Sequence, residues 1–274
     1  MAKVPDIPAS NLLFHALEDI MDFTVITVSY NAEKTIAETI NSVLSQQNIS
    51  FEYLIIDGAS KDNTANIVRN FTDSRINFTS EPDRGLYDAM NKGILKAKGK
   101  YIAILNSDDI YSDETVLYRV KMNFVQDNAD IVYGNLAYFS DKDRKIKRRW
   151  RAVLPKCDKR FEALWTNGWQ CPHPSTFVKK EVYDEVGTFK ADYKISADYD
   201  FLVRTAVQHK KKFSYIDDVL VKMRLGGEST RGFKSIIEGN REVLKTWQSI
   251  DIKPSFTIIP RKLLYKVYFS ISSR

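Results

Sequence analysis

Two adjacent carboxylates, Asp108 and Asp109, end an apolar run of strand length, Tyr101-Ile102-Ala103-Ile104-Leu105. Acids in this position can hold a hard divalent cation, since Mg²⁺ and Mn²⁺ are typically bound by one or two carboxylates together with phosphate oxygens and water. They can equally fill a turn, for which Asp-Asp is ordinary composition. A second pair, Asp198 and Asp200, lies in Lys194-Ile195-Ser196-Ala197-Asp198-Tyr199-Asp200-Phe201-Leu202, where two acids in the first turn of a helix complement its dipole or serve as a base. Asp57 closes a third apolar run, Tyr53-Leu54-Ile55-Ile56. A cation on one carboxylate pair can neutralise a leaving diphosphate while a separate acid deprotonates an incoming hydroxyl. No Gly-x-Gly-x-x-Gly follows the first strand and no Gly-x-x-x-x-Gly-Lys-Ser/Thr occurs, so phosphates bound here would need a metal.

The elements that must carry these acids alternate. Thr24-Val25-Ile26-Thr27-Val28-Ser29 is a β-branched strand followed by Ile36, Ile40, Val43 and Leu44 at helical spacing. The strand ending at Asp57 precedes Gly58-Ala59-Ser60 and a helix marked by Ile67, Val68 and Phe71, which Ser60 or Asp62 can cap. A third strand near Ile76 to Thr79 leads through Glu81-Pro82-Asp83-Arg84-Gly85 to a helix with Tyr87, Met90, Ile94 and Ala97 on its inner face. Tyr87 and Met90 read there as core. The run ending at Asp108-Asp109 follows, then a helix (Leu117, Val120, Phe124) and a strand, Asp130 to Gly134. Strands alternating with helices predict βαβ units, a mostly parallel sheet and ligand sites beyond the carboxyl ends of its strands.

The pattern then changes. Asn135 to Arg151 reads as a β-hairpin turning at Ser140-Asp141-Lys142-Asp143, its second arm a basic run, Arg144 to Arg151, that suits a solvated edge strand or an anion-facing patch. Trp169-Gln170-Cys171-Pro172-His173-Pro174-Ser175-Thr176-Phe177 is an aromatic and imidazole-rich loop entering a short strand. His173 reads either as a buried histidine satisfied by loop carbonyls or as an acceptor-site or metal-shell residue. Trp165 and Trp169 read as a sugar platform or as core indoles. Strands around Phe213 to Ile216 and Val219 to Arg224 and a polar loop at Gly226-Gly227-Glu228-Ser229-Thr230 follow.

At 274 residues, 43% hydrophobic and 28% charged, the chain has the composition of a globular protein rather than a disordered or collagen-like one. No apolar run reaches spanning length. Two cysteines, Cys157 and Cys171, lack metal-type spacing and fit a reducing compartment. The net charge of +6 suits an anionic ligand or surface without separating lipid headgroups from phosphates. Residues 1–20 read as a leader or tag-like appendage ahead of a start at Met21, not as a secretory signal, because Glu18 and Asp19 interrupt the apolar stretch. Residues 21–230 form the main domain, with a division near 134, and 231–274 a C-terminal helical segment. Its end mixes Leu263, Leu264, Tyr265, Val267, Tyr268, Phe269 and Ile271 with Arg261, Lys262, Lys266 and Arg274, which suits either an interfacial helix at an anionic leaflet or a packed helix.

Four linked motifs carry a resemblance: Val28-Ser29-Tyr30-Asn31, Asp57-Gly58-Ala59-Ser60-Lys61-Asp62-Asn63-Thr64, Asp83-Arg84-Gly85-Leu86-Tyr87-Asp88-Ala89-Met90-Asn91-Lys92-Gly93 and Asn106-Ser107-Asp108-Asp109. In order and spacing they resemble the family 2 glycosyltransferases of GT-A fold, and most of all the bacterial branch that builds exopolysaccharides and O-antigens. The resemblance implies an α/β, GT-A fold: a Rossmann-like, mostly parallel central sheet with a nucleotide-sugar half at 21–134 and a mixed acceptor half at 135–230. It implies an inverting transfer of a sugar from a nucleotide donor, UDP by family habit, to a hydroxyl of a glycan or lipid-linked glycan, with Mn²⁺ or Mg²⁺ as cofactor and no nucleic-acid partner.

It further implies that Val28, Tyr30 and Asn31 line the nucleotide site, that Tyr30 flanks the base and that Asp57 accepts a hydrogen bond from it. Asp83 and Arg84 would lie near the donor, Asp108 at the ribose or metal shell, and Asp109 on the metal. The family's Glu-Asp pair corresponds to Ala197-Asp198, which makes Asp198 the base and leaves Asp200 its rival, while Asn106 replaces an acid often found at the start of the metal motif. Gly226, Gly227 and Ser229 resemble a loop near the donor phosphates, or form a plain turn. The setting implied is cytoplasmic, with peripheral contact at the inner face of the membrane. A nucleotidyltransferase is the nearer alternative but lacks its Gly-rich loop at Tyr30-Asn31-Ala32-Glu33. A non-catalytic glycan- or anion-binding module is the more distant one and would have no use for acids at three ligand-facing ends.

Overall fold

A computed structural model describes residues 21–152, 158–225, 233–262 and 264. Its centre is a nine-stranded sheet. The first half supplies β1 (Phe23–Ser29), α1 (Ile36–Leu44), β2 (Phe51–Asp57), α2 (Thr64–Arg69), β3 (Ile76–Ser80), α3 (Leu86–Lys96) and β4 (Tyr101–Ile104). After β4 come β5 (Ile110–Tyr111), α4 (Val116–Asp127), β6 (Ile131–Phe139), β7 (Ile146–Trp150), α5 (Asp158–Thr166), β8 (Thr176–Lys179), α6 (Lys180–Val186), α7 (Ala197–Val203), β9 (Phe213–Arg224) and α8 (Phe233–Ser249). The strands lie in the order β3-β2-β1-β4-β8-β6-β9-β5, with β7 beside β6.

β1 pairs in parallel with β2 on one side and β4 on the other, and β2 with β3. The chain therefore leaves β1 toward β3 and returns across it to β4, and the crevice between the carboxyl ends of β1 and β4 is a topological switch point, where open α/β sheets bind ligands. The continuous apolar runs of β1, β2 and β4 follow from burial on both faces. Ile26, Val28, Leu54 and Ile56 join a core with α3, whereas Val25, Tyr53 and Ile55 join one with α1 and α4. Gly93 lets α3 settle on β1, since a Cβ there would stand 2.5 Å from a methyl of Ile26.

Beyond β4 the sheet becomes mixed: β8 runs antiparallel to both β4 and β6, and β9 parallel to β6. The hairpin at Ser140 to Asp143 is present, and β7 is an edge strand whose cations are spoken for. Lys147 pairs with Asp143, Arg144 with Glu38 and Arg151 with Asp217, and the Arg148 guanidinium lies 3.7 Å from the Tyr138 ring centroid. Two expectations need correction. The strand ending at Gly134 and the first hairpin arm are one element, β6, and the two strands expected between Phe213 and Arg224 are one element, β9. The pairing partner jumps from Ile216 at Gly134 to Val219 at Asn135, so Asp217 and Asp218 bulge out instead of ending the strand. The two-residue β5, which the sequence did not announce, pairs with Val221 and Lys222 and ties the chain just after Asp109 to the far end of β9.

The C-terminal α8 packs into the body through Val243 and Trp247. The first turn of the last segment is likewise docked, with Ile258 buried and its carbonyl 2.7 Å from where a Cβ on Gly168 would stand. No helix among the described residues is long and apolar enough to cross a membrane. Residues 1–20, Cys157, Gly226, Gly227 and Ser229, and most of the expected interfacial helix lie outside the described residues.

Candidate active site

The first acids sit where the parallel strands end. Tyr30, just past β1, is 60% exposed and free to flank a planar ligand. Asn31 adopts a left-handed φ of 51° and is held by its backbone N–H to the Ser60 hydroxyl (2.8 Å) and by its side-chain oxygen to the Lys61 N–H (2.8 Å). Val28 is buried in the core, so only its backbone could meet a nucleotide. Asp57 departs from its expected role. It is fully buried, and its carboxylate accepts from the Ser29 hydroxyl (3.0 Å), the Ser80 hydroxyl (2.7 Å), and both the N–H (2.9 Å) and the hydroxyl of Ser60. With its lone pairs taken, Asp57 clamps the ends of β1, β2 and β3 instead of presenting an acceptor to a base.

Asp83 accepts from the Gly85 N–H (2.8 Å) and lies so close to Gly58 that a Cβ there would meet its Oδ2 at 2.3 Å. Arg84 is exposed, its guanidinium turned back onto Asp88 (3.0 Å) at the start of α3. Lys92, one turn further along, donates to the Pro82 carbonyl (2.8 Å) and pairs with Glu81 (3.1 Å). The whole 81–85 loop is thus held from α3.

Beyond β4 the arrangement is richer in oxygen than in donors. Asp109 is fully buried, its Oδ2 accepts from the Asn106 side-chain amide (3.1 Å), and its Oδ1 has no partner; the side-chain Oδ1 of Asn106 is equally unpaired. Burial, and after it the charge of Asp108, pushes the Asp109 carboxyl well above the usual range, and burial raises the partly exposed Asp108. Arg224, at the end of β9, opposes both shifts. Its guanidinium is fixed by Glu38 (2.6 Å) and by Asp141, and its Nε is buried without a partner. Unpaired buried oxygens beside a second carboxylate form the donor set a hard divalent cation selects. Among the described residues no three His, Cys, Asp or Glu side chains converge on one point. Asp109 and Asp108 would therefore hold such an ion together with substrate oxygens and water.

The second acid pair separates cleanly. Both Asp198 and Asp200 lie in the first turn of α7. Asp200 is fully buried between Lys190 Nζ (2.8 Å) and Arg204 Nε (2.7 Å), and Arg204 also donates to the carbonyls of Val186 and Thr188. A carboxylate so saturated with cations is a structural anchor, which removes it as a rival base. Asp198 is partly exposed, and its Oδ1 accepts from the Tyr87 hydroxyl (3.1 Å). The chain entering α7 is held by Glu242 of α8, whose carboxylate accepts from the N–H groups of Lys194 (2.6 Å), Ile195 (3.0 Å) and Ser196 (2.7 Å).

His173 opens a short 3₁₀ turn, its ring edge-on to Phe189 at 5.5 Å. Its Nε2 is buried without a partner, contrary to a histidine satisfied by loop carbonyls. Burial lowers its affinity for a proton, and the nearby Asp198 charge opposes this. Trp169 is no platform: it is buried edge-on against Trp165 (5.1 Å) and Tyr133 (5.9 Å) as part of an aromatic core.

Sequence reasoning missed three residues that the structure adds. Tyr87 was read as core, and its ring is, but its hydroxyl reaches Asp198. Arg224 and Glu242 lie far along the chain, and only the pairing of β5 with β9 and the packing of α8 on the segment before α7 bring them in. The one local signal was the position of Tyr87 inside the Asp83-to-Gly93 motif.

A profile described as Glycosyl transferase family 2 matches residues 24–187. Among curated proteins, the chain is 40% identical over 113 residues to the Escherichia coli UDP-Glc:alpha-D-GlcNAc-diphosphoundecaprenol beta-1,3-glucosyltransferase WfgD, covering 41% of this chain and 44% of that protein. It is 27% identical over 187 residues to a Mycobacterium tuberculosis PGL/p-HBAD biosynthesis glycosyltransferase, covering 66% of this chain and 68% of the relative. A Methanocaldococcus jannaschii glycosyltransferase is 30% identical over 210 residues, covering 74% of this chain and 70% of the relative. The matches thus span less than half of WfgD but about two thirds of the other two.

Among solved structures, S. aureus TarS 1-349 in complex with UDP-GlcNAc superposes with a TM-score of 0.68 at 18% identity, covering 92% of this chain and 74% of that one. The mannosyltransferase PcManGT of Pyrobaculum calidifontis, in complex with GDP-Man and Mn²⁺, gives 0.61 at 17% identity, covering 95% and 77%. These likenesses show the fold, the GT-A arrangement expected from the four motifs.

Proposed function

Because the chain belongs to glycosyl transferase family 2, we propose that it transfers a sugar, with inversion, from a UDP-sugar to a hydroxyl of a glycan or lipid-linked glycan. The observation that carries this reading is the pairing of two unlike acidic sites at one end of the sheet. Asp109 and Asp108 form an oxygen-rich, donor-poor site, and Asp198 stands apart on α7, partly exposed and with no cation paired to it among the described residues.

In the proposed reaction the acceptor oxygen forms a bond to the anomeric carbon as the bond from that carbon to the diphosphate oxygen breaks. The hydroxyl proton passes to Asp198, and the nucleoside diphosphate leaves with the electron pair. One base and one stabilised leaving group suffice for a single displacement. With Asp200 locked between two cations, no second free carboxylate stands beside Asp198 on α7 to act as a nucleophile. Mn²⁺ or Mg²⁺, held by Asp109 and Asp108, would neutralise charge on the diphosphate. Tyr30 would flank the base, Asp83 and Arg84 would border the donor, and Asp57 would keep the strand ends in register beneath it.

UDP is favoured because TarS is solved with UDP and UDP-GlcNAc and WfgD is named for a UDP-Glc donor. WfgD's name also specifies a diphosphoundecaprenol-linked acceptor. The docked start of the C-terminal segment leaves Phe256 96% and Leu264 65% exposed beside the exposed Arg261, a pairing of apolar tips and a cation that supports contact with an anionic leaflet. On this reading the enzyme works in the cytoplasm, at the inner face of the membrane. Calorimetric titration with UDP, GDP and dTDP, with and without Mn²⁺, tests the donor site in the wild type and in D109N. Metal-dependent binding of UDP that D109N abolishes is the expected result. Binding of none of the three by the folded wild type would overturn the reading.

A further inference from the structure

The Asp83-to-Gly93 motif does more than border a donor. Its first residues, Asp83 to Gly85, complete the 81–85 loop, and Asp88 and Lys92 hold that loop from the exposed side of α3. The other side of the same helix grips the acceptor half. Asn91 makes a reciprocal pair with the backbone of Phe189, its amide donating to the carbonyl (2.8 Å) and its oxygen accepting from the N–H (3.0 Å). One turn earlier, the Tyr87 hydroxyl lies 2.8 Å from the Ile195 carbonyl and 3.1 Å from Asp198 Oδ1. Tyr87 and Asn91 are thus spaced i, i+4 on one face of α3 and clamp residues 189–198. The ring of Phe189 packs on that of Tyr87, 5.7 Å between centroids, and lies 5.5 Å from that of His173.

Tyr87 is buried, and burial together with the charge of Asp198 drives its phenol far up from its ordinary value. It is therefore a donor at every physiological pH. It has one proton and two acceptors within reach. While Asp198 is ionised, the charge-assisted bond to the carboxylate is the stronger of the two. Once Asp198 has taken a proton, the neutral Ile195 carbonyl competes on equal terms, and the phenol can turn to it without leaving an unpaired group.

We propose that Tyr87 is the positioning residue for the base: its hydroxyl fixes Asp198 in the orientation that meets the acceptor hydroxyl, and α3 thereby joins the donor loop to the base as one rigid unit. The inference rests on the proposed role of Asp198 as the base. It predicts that Tyr87 acts through Asp198 and through nothing else in the reaction.

The test is a double-mutant cycle of Y87F and D198N, with nucleotide release measured from UDP-glucose and UDP-GlcNAc in the presence of Mn²⁺, water taking the place of the acceptor hydroxyl as the nucleophile that Asp198 deprotonates. Y87F keeps the ring and its packing on Phe189, and UDP affinity by calorimetry serves as the check on the donor site. Expected is a fall in kcat of about 10- to 100-fold for Y87F, the scale of one lost hydrogen bond to a charged group, with the donor KM and UDP affinity unchanged. In the D198N background Y87F should cost less than about twofold, because the group it positions is already disabled. Equal losses from Y87F in both backgrounds, or a loss expressed in the donor KM, would overturn the proposal while leaving the transferase reading intact. A wild type that binds UDP but releases none from either donor, or binds none, would overturn both. Should Y87F melt more than a few degrees below the wild type, N91D supplies the second arm. It keeps the ring of Tyr87 and its hydroxyl but loosens the clamp at Phe189, and the same cycle with D198N must show the same loss of additivity.

Discussion

Replacing either acid of α7 by its amide distinguishes anchor from base, because the two side chains two residues apart occupy opposite environments. Asp200 has no exposed surface and two cations on its oxygens. In D200N, Lys190 can turn to water, being one-third exposed, but Arg204 is only 10% exposed and keeps a buried charge with no counter-ion. Removing one partner from a buried ion pair costs about 3–5 kcal/mol. At roughly 2–4 °C per kcal/mol for a chain of this size, the melting temperature should fall by roughly 6–20 °C. D198N exchanges a partly exposed carboxylate for an amide whose oxygen still accepts from Tyr87, so its cost should stay within about 1 kcal/mol, or roughly 2–4 °C. Turnover should behave the other way. Loss of the general base predicts about a 10²- to 10⁴-fold fall in kcat for D198N with UDP affinity intact, whereas D200N, assayed below its melting point, should retain activity in proportion to its folded fraction. Thermal melts by circular dichroism and UDP release from UDP-glucose or UDP-GlcNAc read both quantities. A D200N protein that melts like the wild type yet is inactive, beside an active D198N, would reverse the assignment and refute the argument from burial.

Two further outcomes follow from titrating groups outside the site. The hydrogen bonds from Arg75 hold Asp73 down to about 2. A lowered acid stabilises the fold at pH values above its unfolded value of about 3.9 and loses that contribution as pH falls through its folded value. The melting-temperature gap between wild type and D73N should therefore be constant near neutrality and close between about pH 4 and 2. Because the pair is largely hydrated, the gap should not exceed about 1 kcal/mol, or roughly 2–4 °C. Burial pushes the Cys171 thiol up to about 12, so at pH 8 it holds almost no thiolate and should resist iodoacetamide in the native protein while reacting fully in guanidinium. Peptide mass mapping of the Cys171 peptide checks this, and rapid alkylation of the native protein would refute its burial.

Much of this molecule is legible in its sequence, and the boundary has a physical cause. The strand–helix alternation up to Gly134 is written in local periodicity, because each parallel strand is buried on both faces and each helix on one. That periodicity, with acids at the ends of its runs, points to the carboxyl ends of the parallel strands. What an acid does there depends on what surrounds it. Asp57, Asp109, Asp198 and Asp200 look alike as residues at element ends. Packing makes the first a clamp with four donors, the second an unpaired buried oxygen, the third a free carboxylate under a phenol and the fourth half of an ion pair. Trp169 shows the same limit, since an indole in a loop motif and an indole in an aromatic core read identically until Trp165 and Tyr133 are seen against it. The partners that decide these roles come from 100 or more residues away in the case of Tyr87 and Asp198, and across the pairing of β5 with β9 in that of Asp109 and Arg224. Sequence determined the scaffold and the acids at the ends of its strands, because both rest on patterns repeated within a few residues. Tertiary structure alone decided which carboxylate keeps its lone pairs for a ligand, because that is settled by donors and cations that reach it across the fold.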